Sequence, residues 1–552
     1  MSCLVPGPRG PGGYRRLVGA PEGAPVLRRD LGVHLPSGVA RSLVNFVQLS
    51  DLHVTDAQSP ARAEFLDRLG DVDQPSALAV GRVGTYRAQE ALTHQVLEAM
   101  VRAVRSEGRG PLTGAPVSFA ISTGDNIDNG QDNELRAYLA LLNGGTSVVP
   151  DSGDPARYDG VGAQHCYDVR YYHPDGTPPG ERDDCCRAGR GFPLIPGLLD
   201  AARRPLAASG LGISWYAVYG NHDALIGGTM PPEDELVALA LGGRKPIAAP
   251  EGIDLVAPLA DNEFGPPAGV WGMAGGATRP VAADASRRPV GAKEWIAAHL
   301  CDGGSPVGHG FGEGARDTGR AHYAFSAGGV RFVVLDTVNR AGGWQGSLDR
   351  GQLEWLEAEL TAVHGAFFDD TGRRRHHGAA DQPVIVCSHH TLETMTNPWA
   401  PDGARRVLGP ELARLLARFP NVVAWLNGHT HAHRIVARPA AAHLSGVPGG
   451  YFEITTASHI DWPQQARLVE VAIDDDQLVL ATGVPDHAGA RDGRSEALDE
   501  PVALAGWSRE LALNAWQGLG PDGVPLGAGR VEDRDVLAVL PLRPPRWGGA
   551  AR

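Results

Sequence analysis

Along the 552 residues, the side chains best suited to chemistry fall in five short stretches, each placed just after an apolar run. Asp51 and His53 follow "LVNFVQLS"; Asp125 and Asp128 follow "PVSFAIS"; Asn221, His222 and Asp223 follow "SWYAVY". His389 and His390 close "PVIVCS", and His429, His431 and His433 crowd the positions after "VVAWLNG". Carboxylates, an amide oxygen and imidazoles, with no thiolate among them, suit borderline-hard cations such as manganese, iron or zinc. The donors Asp51, His53, Asp125, Asn221, one of His389 and His390, His429 and His431 exceed what a single tetrahedral zinc takes. They suit two ions about 3.5–4 Å apart sharing one carboxylate, a pair that clamps the attacking and leaving oxygens of a phosphoryl displacement. Bound cations also let a chain of net charge −14 accept an anionic substrate.

Five donor-bearing loops must converge, and strands wound with helices achieve this by ending on one sheet edge. Leu92, Val96, Met100 and Val104 mark one face of a helix within "YRAQEALTHQVLEAMVRAVRSEG". "HYAFSAGGVRFVVLDT" reads as a hairpin turning at Gly328-Gly329. Asp349, with Gln352 three residues on, caps a helix whose stripe is Leu353, Leu356, Leu360 and Val363. "PELARLLARF" is a further helix, and "YFEITTAS", "RLVEVAI" and "QLVLATG" read as consecutive strands of an antiparallel portion. Gly124, Gly220 and Gly428 are expected to permit tight turns after their strands. Residues 1–41 read as an irregular leader, 42–485 as one catalytic domain with loop insertions near 143–193 and 227–315, and 486–552 as an extension packed on the core. The insertions are expected to wall the cleft. Within the first, "YYHPDGTPPGERDDCCRAGR" either covers the site or elaborates the surface away from it.

The ordered set "DLH", "GDNID", "GNHD", "SHH" and "GHTH", spread over residues 51–431, resembles the calcineurin-like metallophosphoesterases, and the layout is similar to an actinobacterial-type group of them. The resemblance implies an α/β fold, a sandwich of two mixed β-sheets flanked by α-helices. It implies a hydrolase of phosphomonoesters or phosphodiesters whose nucleophile is a hydroxide bridging two divalent or mixed-valence ions (Mn, Fe or Zn). Carried over by motif, Asp51, His53 and His431 hold the first ion, Asp125 bridges, and Asn221, His429 and one of the 389/390 pair hold the second. His222 lies beside the phosphate and stabilises charge or protonates the leaving oxygen, and Asp128 orients its imidazole. The family's ligating histidine commonly stands two residues before a proline; Thr391 occupies that place after His389, so the pattern favours His389 in an altered form. His390 then points to the cleft or supports the ligands from outside. His433 has no motif counterpart and is read as a surface or outer residue or as a substrate contact. Arg434 is read as an ordinary surface arginine or a phosphate clamp. His459 and Asp461 follow a strand near the end of the core and are candidates for the cleft wall. His376-His377, within "RRRHH", read as a solvated basic loop.

The bulk properties narrow the classes further. A net charge of −14 predicts no electrostatic footprint for nucleic acid, leaving a small phosphoester as the expected partner. No apolar run reaches the ~20 residues that span a bilayer. The N-terminus has no stretch long enough for a signal h-region, so a cytoplasmic location is expected. Six cysteines, Cys3, Cys166, Cys185, Cys186, Cys301 and Cys387, show no C-x-x-C spacing. They read as isolated thiols, with a bridge from Cys166 to Cys185 or Cys186 as the alternative in an exported form. A non-catalytic phosphate- or partner-binding module on the same scaffold is the competing function class. It would lack ligands or His222, and this sequence has them all. A dimetal amidohydrolase expects His-x-His on its first strand, where this chain carries Asp51-x-His53.

Overall fold

The computed structural model describes residues 2–541 except 22, 32–39, 72–73, 81–82, 258–274, 441–449, 475–476, 490–496 and 521–522. Parts of the expected leader, of the second insertion and of the C-terminal stretch therefore lie outside the described residues, as does the side chain of Cys3. Two large sheets are built from β1 (Val26–Arg28), β2 (Arg41–Leu49), β3 (Phe119–Ser122), β4 (Ser214–Ala217), β5 (Tyr323–Ala327), β6 (Val330–Val334), β7 (Val384–Cys387), β8 (Val422–Asn427), β9 (Arg434–Pro439), β10 (Gly450–Thr455), β11 (Arg467–Asp474), β12 (Gln477–Gly483) and β13 (Val536–Pro541). The seven-stranded sheet runs β1-β13-β12-β11-β2-β3-β4, and the six-stranded sheet runs β5-β6-β7-β8-β10-β9. Both are mixed. β2, β3 and β4 are mutually parallel, as are β6, β7, β8 and β10, while β11 is antiparallel to β2 and β12, β12 is antiparallel to β13, and β13 is parallel to β1.

The sheets face one another across an aromatic and aliphatic core. Phe46 of β2 stacks on Phe119 of β3 at 5.0 Å between ring centroids, and Phe332 of β6 meets both edge-on at 5.3 Å. Such edge-to-face contacts are favourable beyond the area they bury. Helices α1 (Thr93–Glu107), α2 (Asp132–Asn143), α3 (Asp234–Leu241), α4 (Ala292–Cys301), α5 (Arg350–Ala362), α6 (Gly409–Ala417) and α7 (Pro501–Leu513) pack around the sandwich. Asp349 caps α5 by accepting from the Gln352 amide at 2.8 Å, the cap the sequence predicts. Leu353, Leu356 and Leu360 of α5 join Leu412, Leu415 and Leu416 of α6 against Val384, Val386 and Trp425 of the six-stranded sheet.

Three expectations change. The stripe Leu92, Val96, Met100 and Val104 does not share one neighbour: Met100 and Val104 enter the inter-sheet core, and Val96 packs on Ala505 of α7. α1 lies between the sheet and α7, so apolar residues are needed on two faces. The three strands β10, β11 and β12 do not form one antiparallel unit, because β10 belongs to the six-stranded sheet and only β11 and β12 pair. The stretch read as an irregular leader contains an antiparallel hairpin, Ser2–Arg9 with Arg15–Pro21, followed by β1 beside β13. Prolines mask that pairing in the sequence, since proline is tolerated where a strand has a free edge. The hairpin turn predicted at Gly328-Gly329 connects β5 to β6, and both glycines have positive φ. Residues 374–376 are exposed as expected of the basic segment, but they form a short strand paired with 366–368 and not a loop.

The 143–193 insertion bonds the loop that follows His53 through Asp151, Ser152 and Asp159, which meet Asp56 and Gln58. Its Tyr172, Cys186 and Phe192 form a cluster with Tyr14 of the N-terminal hairpin and with Leu504 and Leu511 of α7. The five described cysteines, Cys166, Cys185, Cys186, Cys301 and Cys387, are free, so no Cys166 bridge forms. Among the described residues, no helix is long and apolar enough to cross a membrane.

Candidate metal centre

The donors collect where parallel strands end. β2, β3 and β4 deliver Asp51/His53, Asp125/Asp128 and Asn221/His222 from one sheet; β7 and β8 deliver His389/His390 and His429/His431 from the other. The approach distorts the backbone. Among the described residues, eight non-glycine residues have positive φ, and Asp51, His53, Asp125, His429 and His431 are five of them. Left-handed backbone at residues other than glycine is costly and collects at functional sites, where the surrounding fold enforces it.

Three groups of donors have atoms mutually within 4.8 Å: Asp51, His53, Asp125 and His431; His389, His390 and His429; and His53, Asp128 and His222. Asp125 Oδ2 stands between the first two, 3.7 Å from His53 Nε2 and 3.2 Å from His389 Nε2. His431 Nε2 is 3.3 Å from Asp51 Oδ1 and 3.2 Å from His53 Nε2, and His429 Nδ1 is 3.1 Å from His389 Nε2.

The hydrogen bonds behind the imidazoles decide which nitrogens face inward. His53 Nδ1 donates to Asp128 Oδ1 at 2.8 Å, His431 Nδ1 to Asp461 Oδ2 at 2.6 Å, and His389 Nδ1 to the Thr123 carbonyl at 2.9 Å. Each bond holds the ring through Nδ1 and turns Nε2 toward the centre, where it can serve as a ligand atom once deprotonated. His53 and His431 thereby bring their Nε2 atoms to 3.2 Å of one another. Asn221 Nδ2 donates to the Gly228 carbonyl at 3.0 Å, leaving its Oδ1 buried and without a partner. Inward imidazole nitrogens, two carboxylates and an orphaned amide oxygen form a donor set that fits divalent cations. His390 differs from its neighbour. Its Nδ1 lies 2.8 Å from Thr337 Oγ1 and its Nε2 2.9 Å from the Trp344 carbonyl, so both ring nitrogens are engaged away from the centre.

Charge follows the same arrangement. Burial disfavours charge on His53 and pushes it down to about 4, whereas at His389 burial is outweighed by Asp125 and Asp51, which push it up to about 9. Burial alone would raise Asp125, yet His389, His222 and His53 hold its carboxyl well below the usual range. Two arginines complete the surroundings, and nothing in the sequence pattern marks them. Arg62 pairs with Asp128 Oδ2 and with Glu90 Oε2 at 2.9 Å; Arg87 Nε pairs with Asp461 Oδ1 at 2.8 Å. Each inner histidine of the first group is thus backed by an aspartate, and each aspartate by a buried arginine.

Several readings are corrected by this geometry. The Asp128 carboxylate serves His53, not His222; its nearest oxygen is 3.8 Å from His222 Nδ1, which instead donates to the Asp128 backbone carbonyl at 2.5 Å. Asp461 does not line the cleft but orients His431. His459 lies beneath the centre, its Nδ1 2.9 Å from the Ser50 carbonyl. His433 is buried against Arg467 Nη2 at 3.0 Å and Gln465 Oε1 at 3.3 Å, which excludes the surface and substrate-contact readings. Arg434 is half exposed, with Nη1 3.5 Å from Glu393 Oε2. Gly220 and Gly428 are glycines for space rather than for turning: a Cβ on Gly220 would strike the Asp125 amide, and one on Gly428 would strike Ser50 Oγ. Gly124, with φ 92°, is the one of the three that adopts a turn conformation closed to most residues.

The centre opens into a cleft of about 480 Å³. His222, one-fifth exposed at its side chain, faces it, and Trp344 forms part of its rim with its ring stacked on His429 at 5.6 Å. Of the two expected insertions, only the second contributes, through Gly227, Thr229 and Met230; the opposite wall comes from residues 61–87.

No family model and no curated protein matches the chain. Among solved structures it is similar to a dimetal phosphatase from Danio rerio, at 13% identity and a TM-score of 0.36, covering 80% of this chain and 95% of that one. It is also similar to PhoD, at 10% identity and a TM-score of 0.29, covering 86% of this chain and 72% of that one.

Proposed function

We propose that this chain is a metal-dependent phosphoesterase, a hydrolase acting on phosphomonoesters or phosphodiesters. The observation that carries the reading is the position of Asp125 Oδ2 between two sets of inward-facing donors. Asp51, His53 and His431 would hold one cation, and Asn221, His389 and His429 the other, with Asp125 between them. Two such ions would supply the Lewis acidity that makes water nucleophilic near neutral pH and the charge that offsets a phosphate.

The chain's own residues divide the remaining work. Asp128 and Asp461 hold His53 and His431 in the tautomer that presents Nε2, and Arg62 and Arg87 hold those carboxylates in place. His222 is anchored through Nδ1 by the Asp128 carbonyl, so its Nε2 is the atom presented to the cleft. There it serves as a donor to a phosphate oxygen or as the acid that protonates the leaving oxygen. The His222 amide also donates to Asp125 Oδ1 at 2.9 Å, tying the acid's position to the shared carboxylate. The test is a panel of aryl monoesters, aryl diesters, cyclic nucleotides and nucleotides, with Mn²⁺ returned to chelated protein. Turnover of at least one ester class that depends on added metal is expected; metal-independent turnover, or none across the panel, overturns the reading.

A further inference from the structure

The cleft is larger than a phosphate and most of its surplus is apolar. Besides His222 and the donors it has an apolar arm lined by Ala61, Ala63, Leu66, Val83, Ile226 and Met230. The walls are built rather than incidental. Ala63, Leu66 and Met230 belong to one apolar cluster and Ala61 and Ile226 to another, and both are backed by α3 through Leu236, with Leu239 behind the first and Ala240 within the second. Among the described residues, the arm presents no cation free to take a second anion. Arg62 is committed to Asp128, Glu90 and the Thr85 carbonyl, and Arg87 to Asp461 and the Gly84 carbonyl. An apolar pocket beside a polar centre selects a ligand by the shape and the apolar surface of its substituent.

We propose that the substrate is a phosphoester whose other substituent is uncharged and apolar, an alkyl or aryl group seated in this arm. This rests on the phosphoesterase reading. A second phosphate or an acidic peptide would meet methyl and thioether groups and, among the described residues, no unpaired positive charge, so it would be desolvated without compensation there. An apolar chain gains with each group removed from water, by about three- to fourfold in affinity per methylene, the equilibrium equivalent of the transfer free energy.

The experiment titrates metal-loaded protein calorimetrically with inorganic phosphate, then with methyl-, butyl-, hexyl- and phenylphosphonate, and with pyrophosphate. Affinity is expected to climb by about threefold or more per added methylene until the arm is full. Phenylphosphonate should bind more tightly than the methyl compound, and pyrophosphate should gain nothing over phosphate. Met230→Gln should flatten the chain-length series while leaving phosphate affinity and metal content unchanged. The series on the unaltered protein stands by itself if that variant does not fold. Binding of phosphate with no dependence on chain length, or tighter binding of pyrophosphate than of hexylphosphonate, would overturn the arm while leaving the phosphoesterase reading intact. Absence of any phosphate binding to the metal-loaded protein would overturn both.

Discussion

The Asp128 carboxylate lies 2.8 Å from His53 Nδ1 and a full ångström further from His222 Nδ1. A carboxylate behind a ligating imidazole fixes its tautomer and strengthens it as a donor, and losing such a partner costs about 10–100-fold in metal affinity. Asp128→Asn is therefore expected to weaken metal binding by that factor, and Asp461→Asn, which removes the same support from His431, to do likewise. Metal titration of the purified variants measures it. If Asp128→Asn keeps full affinity and loses turnover only when His222 is present, the carboxylate acts on His222 instead.

His222 has no part in the two donor groups that flank Asp125, and its Nε2 faces the cleft. His222→Ala should keep both metal content and fold while turnover falls by about 10²–10⁴, the range for a lost acid or placed donor. Steady-state kinetics beside elemental analysis separates the two readouts. Unchanged kcat would remove His222 from the reaction.

Adjacent histidines should behave differently. His389 presents Nε2 to Asp125 and His429, whereas both nitrogens of His390 are bonded to Thr337 and the Trp344 carbonyl. His389→Ala should lower the occupancy of one ion by about tenfold or more, at least the cost of losing an outer partner. His390→Ala should retain both ions and disturb the loop that carries Trp344. A reversed pattern in metal analysis would exchange their places.

The donors were legible because each sits at the end of an apolar strand, and strand ends on one edge converge. What lay beyond them was not. Asp128 and His222 are close in the motif order, so pairing them was the natural reading; only the path of the loop shows that the backbone carbonyl faces His222 and the carboxylate faces His53. Arg62 lies in a stretch without helical or strand periodicity and Arg87 just ahead of the stripe that begins at Leu92, and no pattern there announces a buried cation. His433 continues the alternation of His429 and His431, yet it turns inward beneath the sheets, a placement set by Arg467 on a strand 34 residues away. The sandwich followed from apolar runs and turn residues. The sheet to which β10 belongs did not, because strand pairing across a sandwich is decided by neighbours distant in sequence.

The last prediction concerns what the cations do for stability. Asn221 Oδ1 is buried without a partner, and five donors hold left-handed backbone. Each of these costs free energy in the metal-free chain, and a cation between the donors removes the first. Because the unfolded chain does not assemble the set, binding should stabilise the fold by mass action, about 2.7 kcal/mol when free metal is a hundred times its Kd. Chelated protein should thus melt at lower temperature, and Tm should rise steadily with added Mn²⁺. Asp125→Asn, which weakens the one carboxylate shared by both donor groups, should flatten that rise. Calorimetric scans across a metal series measure it. A Tm indifferent to metal in the unaltered protein would mean that these donors are satisfied some other way, and the donor set would then not be a metal centre.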